Sequence, residues 1–508
     1  MKHKSILYFL LLIILSTAVI AQETIEIPEG ESDDQIFVIN SFVFNVDGIT
    51  RAFALNLRTE FKVGEEITGA DNLDRFIRDK RQLLYNERVL ETVRIEYTVL
   101  TQRADGKFPV DLVIYVKDTW NIIALPHPQY SSNTGFALTI KARDYNFLGT
   151  MSSLRADFGY RYDELGRTFI NLNMDSGIPF RAYGLNWVFR HGNEYIYRPT
   201  MERPHYFRNV TGLSVELPVQ RTVFTVGINE HFIFYEENPD DEKPMYGGFQ
   251  DFYLSSRPFI NWRIPTGLHY YDLGEITYTP GISATFNYAP PHAPLTHFRQ
   301  GPFLGFNHNL SFGRINWRGN FRSGASASIA NSFSYNIYNA NHGHEPWGAN
   351  LNIRGTGHKQ ITDFFGFSTR LMYRQWFYDS YSESAADVLR GILNNKITAN
   401  YMLSMNLDLN FRLFRFSFSE WFNITNRYFR IFDCDVHMIP IIDAALYNDP
   451  VKQKIFGLEN LLLTSGLEVI IFPRRMRSLF LRVSYARNFS VGPKPNSSEI
   501  YIGTDLHF

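Results

Sequence analysis

From Trp120 onward the chain repeats one pattern, in which apolar and polar residues alternate singly between short interruptions. Residues 403–413 read Leu, Ser, Met, Asn, Leu, Asp, Leu, Asn, Phe, Arg, Leu, apolar at every odd position and polar at every even one. Leu154, Phe158, Tyr160 and Tyr162 alternate with Arg155, Asp157, Gly159 and Arg161, and Ile170, Leu172 and Met174 with Asn171, Asn173 and Asp175. Side chains of a strand point to opposite faces, so each stretch predicts a strand with one apolar and one polar face. Short turns are predicted at Asn146–Thr150, Gly177–Arg181, Arg412–Arg415 and Arg474–Arg477. Long polar loops are predicted near 195–205, 238–249, 289–300, 339–347, 379–395, 431–456 and 491–497. Short turns at one end and long loops at the other are the layout of a transmembrane β-barrel, whose closure pairs every backbone group. A soluble sandwich or propeller is the alternative. The polar face, rich in Arg, Asp, Asn and Gly with little Lys, fits a hydrated barrel interior better. The pattern predicts an all-β transmembrane barrel over 120–508 of sixteen antiparallel strands. Eighteen is the alternative, depending on how the hairpin around 250–290 with its turn Pro265–Gly274 is divided.

The N-terminal part is built differently. Gln35–Val46 reads as a strand, and Asp47-Gly48 as a turn. Thr50 is placed to cap a short helix over Arg51–Leu57, and Gly64 breaks the chain. Asp71–Asn86 has helical spacing, with Leu73, Phe76, Ile77, Leu83 and Leu84 on one side. Strands at Thr92–Gln102 and Pro109–Val116 follow, joined at Ala104-Asp105-Gly106. Residues 35–119 therefore predict one small α+β domain of order β-α-α-β-β. Ahead of it, 22–34 is an acidic linker, and 1–21 has the layout of a secretory signal. Lys2 and Lys4 precede the apolar run Ile6–Leu15, and Val19-Ile20-Ala21 offers a cleavage site. No later apolar run is long enough for a spanning helix, since Leu461–Phe472 is broken by Thr464, Gly466 and Glu468.

Composition sharpens this picture. Aromatic residues make up 16% of the 508, while the hydrophobic fraction, 44%, is ordinary. Girdles at two bilayer interfaces account for such a surplus. Tyr160, Tyr162, Trp187, Phe189, Phe416, Phe418 and Phe508 fall on the lipid-facing parity. With 50 Lys+Arg against 51 Asp+Glu, the chain lacks the positive balance of a nucleic-acid binder. Its single cysteine, Cys434, placed in the 431–456 loop, excludes a disulfide framework or a cysteine-built metal site. His342-Gly343-His344-Glu345 lacks a distant third ligand and reads as a solvated loop. No nucleophile elbow or catalytic spacing is present, so neither enzyme activity, metal nor cofactor is expected.

Three motifs carry a resemblance. The chain ends Tyr501-Ile502-Gly503-Thr504-Asp505-Leu506-His507-Phe508, alternating to a terminal aromatic. Tyr501, Gly503, Leu506 and Phe508 make it look like the C-terminal β-signal of outer-membrane barrels. Leu389-Arg390-Gly391-Ile392, in the 379–395 loop, is similar to the Val-Arg-Gly-aromatic motif of the sixth extracellular loop in the BamA/TamA superfamily. Asp144, Asn146 and Gly149, within Asp144-Tyr145-Asn146-Phe147-Leu148-Gly149, match that superfamily's Asp-x-Asn-x-x-Gly signature. The small domain ahead of the barrel resembles a POTRA domain. Departures are Leu389 and Ile392 in the loop motif, and one POTRA-like unit where assembly factors usually carry more.

The resemblance implies an outer-membrane protein with its POTRA-like domain in the periplasm. It also implies a loop folded into the lumen, with Arg390 paired to acidic residues of the wall. Asp408, on the polar face of 403–413, and Glu420, in Phe418-Ser419-Glu420-Trp421-Phe422, are the expected partners. The seam between first and last strands should be weak, because Pro126 and Pro128 cannot donate to a ladder and Gly503 interrupts the last strand. The expected function is assembly and insertion of other barrels, with unfolded outer-membrane or secreted polypeptides as clients. Outer-membrane lipids and periplasmic accessory proteins are further partners, and nucleic acid is not. A dedicated secretion pore of the same superfamily is the alternative, and a passive porin or receptor a more distant one.

Overall fold

The computed structural model describes residues 35–503 except 132–134, 163–167, 199–204, 236–250, 271–272, 290–299, 378–382, 393–396, 424–431, 449–459, 475, 478 and 491–496. The signal segment 1–21, the linker 22–34, and Leu506 and Phe508 of the terminal motif lie outside the described residues, as do most residues of the long loops.

The small domain is a four-stranded sheet with two helices. Its elements are β1 (Ile36–Asp47), α1 (Ala52–Thr59), β2 (Glu66–Thr68), α2 (Ala70–Asn86), β3 (Leu90–Val99) and β4 (Phe108–Asp118). The sheet order is β2-β1-β4-β3, with β1 parallel to β4 and the other pairs antiparallel. Leu73, Ile77 and Leu84 of α2 meet Ile39, Val110, Leu112 and Ile114 of the sheet in a closed apolar core. The short strand β2 was not expected, because Gly64 and a polar stretch hid its few pairing residues. Thr50 does not cap α1 either. The N-cap is Arg51, without a side-chain bond, and the Thr50 hydroxyl instead donates to Asp118 at 2.6 Å.

The barrel begins with β5 (Ile122–Ser131), β6 (Gly135–Asp144), β7 (Leu154–Tyr162), β8 (Thr168–Ala182), β9 (Leu185–Tyr197) and β10 (His205–Val219). It continues through β11 (Thr222–Tyr235), β12 (Asp251–Tyr270), β13 (Gly274–Tyr288), β14 (Phe303–Arg318), β15 (Phe321–Asn336), β16 (Trp347–Gln360) and β17 (Phe365–Phe377). A two-stranded piece, β18 (Glu383–Ser384) with β19 (Thr398–Ala399), belongs to a loop. The barrel then finishes with β20 (Tyr401–Phe416), β21 (Cys434–Tyr447), β22 (Leu461–Pro473), β23 (Leu481–Asn488) and β24 (Ser498–Gly503), which lies beside β5. Neighbouring strands from β5 round to β24 pair antiparallel, for example with Leu172 opposite Phe158 and Tyr195.

Among the described residues the barrel has eighteen strands, not sixteen. The stretch read as a long turn, Pro265–Gly274, is mostly strand. β12 runs on to Tyr270, with a register break between Pro265 and His269 where Gly267 takes a positive φ of 81°. Two predicted turns also lie inside strands, Gly177–Arg181 in β8 and Arg412–Arg415 in β20. Much of the predicted loop 431–456 is β21. Its inward side carries Ile439 and Ile441, both buried, so polar and apolar residues do not alternate there and the period of two is masked.

The outward parity is apolar as expected, with Phe158, Tyr160, Ile282, Leu304, Met405 and Ile500 all exposed on the outside. Among the described residues no helix is long and apolar enough to cross a membrane. The small domain sits against one end of the barrel. Asn146 Nδ2 donates to the Thr50 hydroxyl at 2.6 Å, and Met151 joins the apolar core of the small domain. At a second point, Arg88 stacks on Trp317 and Phe480, Arg477 donates to the Leu90 carbonyl at 2.6 Å, and Arg314 pairs with Asp79.

Candidate functional site

The loop between β17 and β20 turns into the barrel. Ser384 Oγ accepts from the Ala386 N–H and starts a single 3-10 turn, Ala385–Asp387. The apolar residues beyond it, Val388, Leu389 and Ile392, are buried against Met372, Met402, Ala445 and Leu462. Those four face inward because each lies on the lumen parity of β17, β20, β21 or β22. A hydrophobic anchor therefore holds the loop first, and its polar apex is set on top of that anchor.

Arg390 is the apex, with only 5% of its surface exposed. Its Nη2 lies 2.7 Å from Asp408 Oδ1 and 2.7 Å from Asp443 Oδ1. Nε donates to Asp443 Oδ2 at 2.9 Å, and the Arg390 backbone N–H reaches the same oxygen at 3.1 Å. Nη1 faces Glu468 Oε2 at 3.6 Å, and Arg482 faces that same carboxylate oxygen at 3.5 Å. A guanidinium removed from water requires this density of charged acceptors, because a buried unpaired cation is strongly unfavourable. The carboxylates likewise need their cations. Arg370 completes the frame, donating from Nε to Asn406 at 2.9 Å and from Nη2 to the Val388 carbonyl at 3.1 Å.

Gly391 fits the same site for a backbone reason. Its φ is +83°, and a Cβ there would lie 3.0 Å from the Ala486 carbonyl carbon of β23. Its N–H donates to Glu499 at 3.0 Å and its carbonyl accepts from Ser497 at 2.7 Å. Leu389-Arg390-Gly391-Ile392 is thus fixed to β20, β21, β22, β23 and β24 at once, the five strands that lead to the seam.

Asp408 is brought to Arg390 as the alternation placed it, but Glu420 is not. Glu420 lies exposed in a short helix, Phe418–Trp421, at the small-domain end of β20. The strand stops at Phe416, so neither Glu420 nor Phe418 has a strand parity. Two carboxylates were missed. Asp443 sits in the stretch read as a loop, and Glu468 was noticed only as an interruption of an apolar run. Its parity with Leu462, Thr464 and Ile470 was the usable signal.

The Asp144–Gly149 turn lies between β6 and β7 at the foot of the small domain. Asn146 is fully buried, its N–H bonded to Asp144 at 2.9 Å and its Oδ1 accepting from Met151 N–H at 2.9 Å. Gly149, at φ +71°, passes so close to Ile49 that a Cβ would sit 2.1 Å from its carbonyl oxygen. The three signature residues therefore build the joint between the small domain and the barrel.

At the seam, Pro126 and Pro128 lie on β5, and Tyr501 and Gly503 on β24. The Tyr501 ring folds over Gly503, where a Cβ would lie 2.3 Å from it, and the Arg482 guanidinium stacks on that ring at 4.3 Å. A cavity of about 490 Å³ opens here, lined by Leu125, Pro126 and His127 of β5 and by Val483, Ile502 and Gly503 across the seam. Among the described residues no cluster of His, Cys, Asp or Glu is arranged to hold a metal ion.

Fold and site define a transmembrane β-barrel of the outer-membrane type with an inward-folded, arginine-clamped loop. No family model matches the chain, and no curated protein matches it in sequence. Solved structures do match. CdiB from Acinetobacter baumannii aligns over 93% of this chain and 74% of its own, at 13% identity and a TM-score of 0.50. BamA from Haemophilus ducreyi lacking POTRA domains 1–3 aligns over 92% and 84%, at 14% identity and a TM-score of 0.40. CdiB from Escherichia coli aligns over 95% and 92%, at 11% identity and a TM-score of 0.40. The likeness to CdiB from Acinetobacter baumannii is one of fold.

Proposed function

We propose that this protein inserts or translocates other polypeptides in the bacterial outer membrane, with the β5–β24 seam as the place where a client strand joins. The observation that carries this reading is the cavity at the seam, lined by Pro126 of β5 and Gly503 of β24, on a strand whose Pro128 also lacks an N–H. A strand edge that cannot donate at two positions pairs weakly and leaves room for an added strand. The loop clamp fits the same mechanism. By tying Arg390 and Gly391 to the five strands before the seam, it keeps the last arc rigid while its edge is free to exchange partners. On this reading the small domain serves as a single POTRA unit in the periplasm. Its outer strand β3 offers a second edge on which an extended client can lie.

A secretion pore is the second reading, and one feature favours it. Across β7 to β16 much of the lumen wall is made of short neutral side chains. Asn171 lies over Gly159, Asn229 over Gly212 and Asn261 over Gly281. Such a wall suits passage of a chain through an eighteen-strand interior, which is wide enough for an aqueous channel. Deleting Leu389–Ile392 separates the readings. A fall in many outer-membrane barrels supports insertion, loss of one exported protein supports secretion, and a change confined to small-solute uptake overturns both.

A further inference from the structure

One row of side chains breaks the apolar rule of the barrel's outer wall. Ser176 of β8 stands opposite His191 of β9, and His191 opposite Thr211 of β10. Thr211 in turn stands opposite Glu230 of β11, and Glu230 opposite Ser256 of β12. Asn193 and Asn209 face each other in the adjoining row. On β9 and β10 these residues alternate with Arg190, Glu194 and Arg208 of the lumen wall, so they point outward. The row does not sit at a strand end. Its outward neighbours are Phe189 and Tyr195 on β9, Leu213 and Phe207 on β10, Ile228 and Phe232 on β11, and Pro258 and Leu254 on β12. Apolar residues on both sides place the row inside the apolar band.

Most of these side chains bond to one another. Asn209 Nδ2 donates to Asn193 Oδ1 at 2.7 Å, and Asn193 Nδ2 donates to His191 Nε2 at 2.8 Å. His191 Nδ1 lies 3.3 Å from Thr211 Oγ1, and Ser256 Oγ donates to Glu230 Oε2 at 2.6 Å. Glu230 itself is exposed, and it pairs with no cation among the described residues. A carboxylate facing hydrocarbon is unfavourable, and polar groups at such depth usually find a protein partner.

We propose that this face is where two copies of the protein meet side by side in the membrane. The row holds both donors and acceptors, so it is complementary to itself. A twofold axis through Thr211 along the bilayer normal sets His191 of one copy on the side of Glu230 of the other. That arrangement supplies the donor the carboxylate lacks. Asn193 and Asn209 each add an amide able to donate and to accept. In the strand order β10 is separated from β5 by four strands, so pairing here leaves the β5–β24 seam open to lipid. The pairing therefore holds whether the protein inserts clients or secretes them.

The test uses the full-length protein in phosphatidylcholine vesicles, dilute enough that chance encounters are rare, with Cys434→Ser as the background. Copper phenanthroline supplies the oxidant for a disulfide across the axis. Thr211→Cys should link two copies, and Ile329→Cys, exposed on the outer face of β15, should not. Glu230→Leu in the Thr211→Cys background should weaken association about tenfold, although it removes a charge from lipid and leaves the monomer at least as stable. Sedimentation equilibrium of the unsubstituted protein in density-matched micelles counts copies independently, and a dimer is expected. Absence of a Thr211→Cys link, equal linking at Ile329→Cys, unchanged association of Glu230→Leu or single copies on sedimentation would each overturn the proposal. The cover over Glu230 would then have to come from lipid or from another protein.

Discussion

The two sides of the barrel interior use charge in opposite ways. On the β20–β24 side, Arg390, Asp408, Asp443 and Glu468 pair with side chains no more than 7% exposed. On the β7–β16 side, Arg208 pairs with Glu194 at 3.1 Å, but their side chains are 45% and 30% exposed, and Arg190 stands 4.0 Å from Asp175 with both more than half exposed. Exposed pairs are screened and contribute about 0–1 kcal/mol, whereas breaking a buried pair leaves charges that water no longer solvates. The same residue types thus build a clamp on one side and a hydrated wall on the other. What distinguishes them is the loop, whose apolar anchor excludes water from one arc only.

That contrast can be broken, most severely at Arg390. Arg390→Ala takes the guanidinium from the buried Asp408 and Asp443, leaves Glu468 to Arg482 alone, and should cost about 3–5 kcal/mol of loop docking. Proteolysis of the 379–395 loop in folded, membrane-embedded protein reads the release directly, and an unchanged cleavage rate would mean the clamp is not what holds the loop. Asp443→Asn keeps the shape but removes the charge that receives two guanidinium bonds and a backbone N–H. It should cost about 1.5–3 kcal/mol by the same readout. Gly391→Ala comes next, at about 1–2 kcal/mol, from its positive φ and the contact with Ala486. Smallest is Gly281→Ala on the opposite wall. A Cβ there meets only the Asn261 and Asn307 side-chain ends, which can swing into the lumen. Thermal unfolding should shift by about 0.5 kcal/mol or less. A loss comparable to Arg390→Ala would show that this wall is packed rather than hydrated.

How much of this was legible in the sequence depended on which environments flank a strand. Where the inward residues are polar even beneath the loop, as Ser404, Asn406 and Asp408 are in β20, single alternation identified the strand and placed Asp408 on the lumen side. Where the inward residues of a strand are themselves apolar, the alternation disappears, because both faces are apolar. β21 is the case in point. Ile439 and Ile441 pack with Ile470, Phe472 and Ala486 inside the barrel, Pro440 adds a loop-like residue, and Asp443 went unseen for that reason. Glu420 shows the converse error, since parity was extended past Phe416, where the chain has already turned into a helix. The Asp144–Gly149 signature was visible as a motif. Its contacts with Thr50 and Asp118 join segments far apart in the chain, and no local pattern announces them.

The most direct measurement places a photo-crosslinking residue at Leu125, beside the seam cavity, and in a separate protein at Asn261 on the hydrated wall, with Cys434 replaced by serine if thiol chemistry is used. Client polypeptides should attach at Leu125 during their assembly and not at Asn261. Attachment at Asn261 with none at Leu125 would contradict strand addition at the seam and make the interior the client's path.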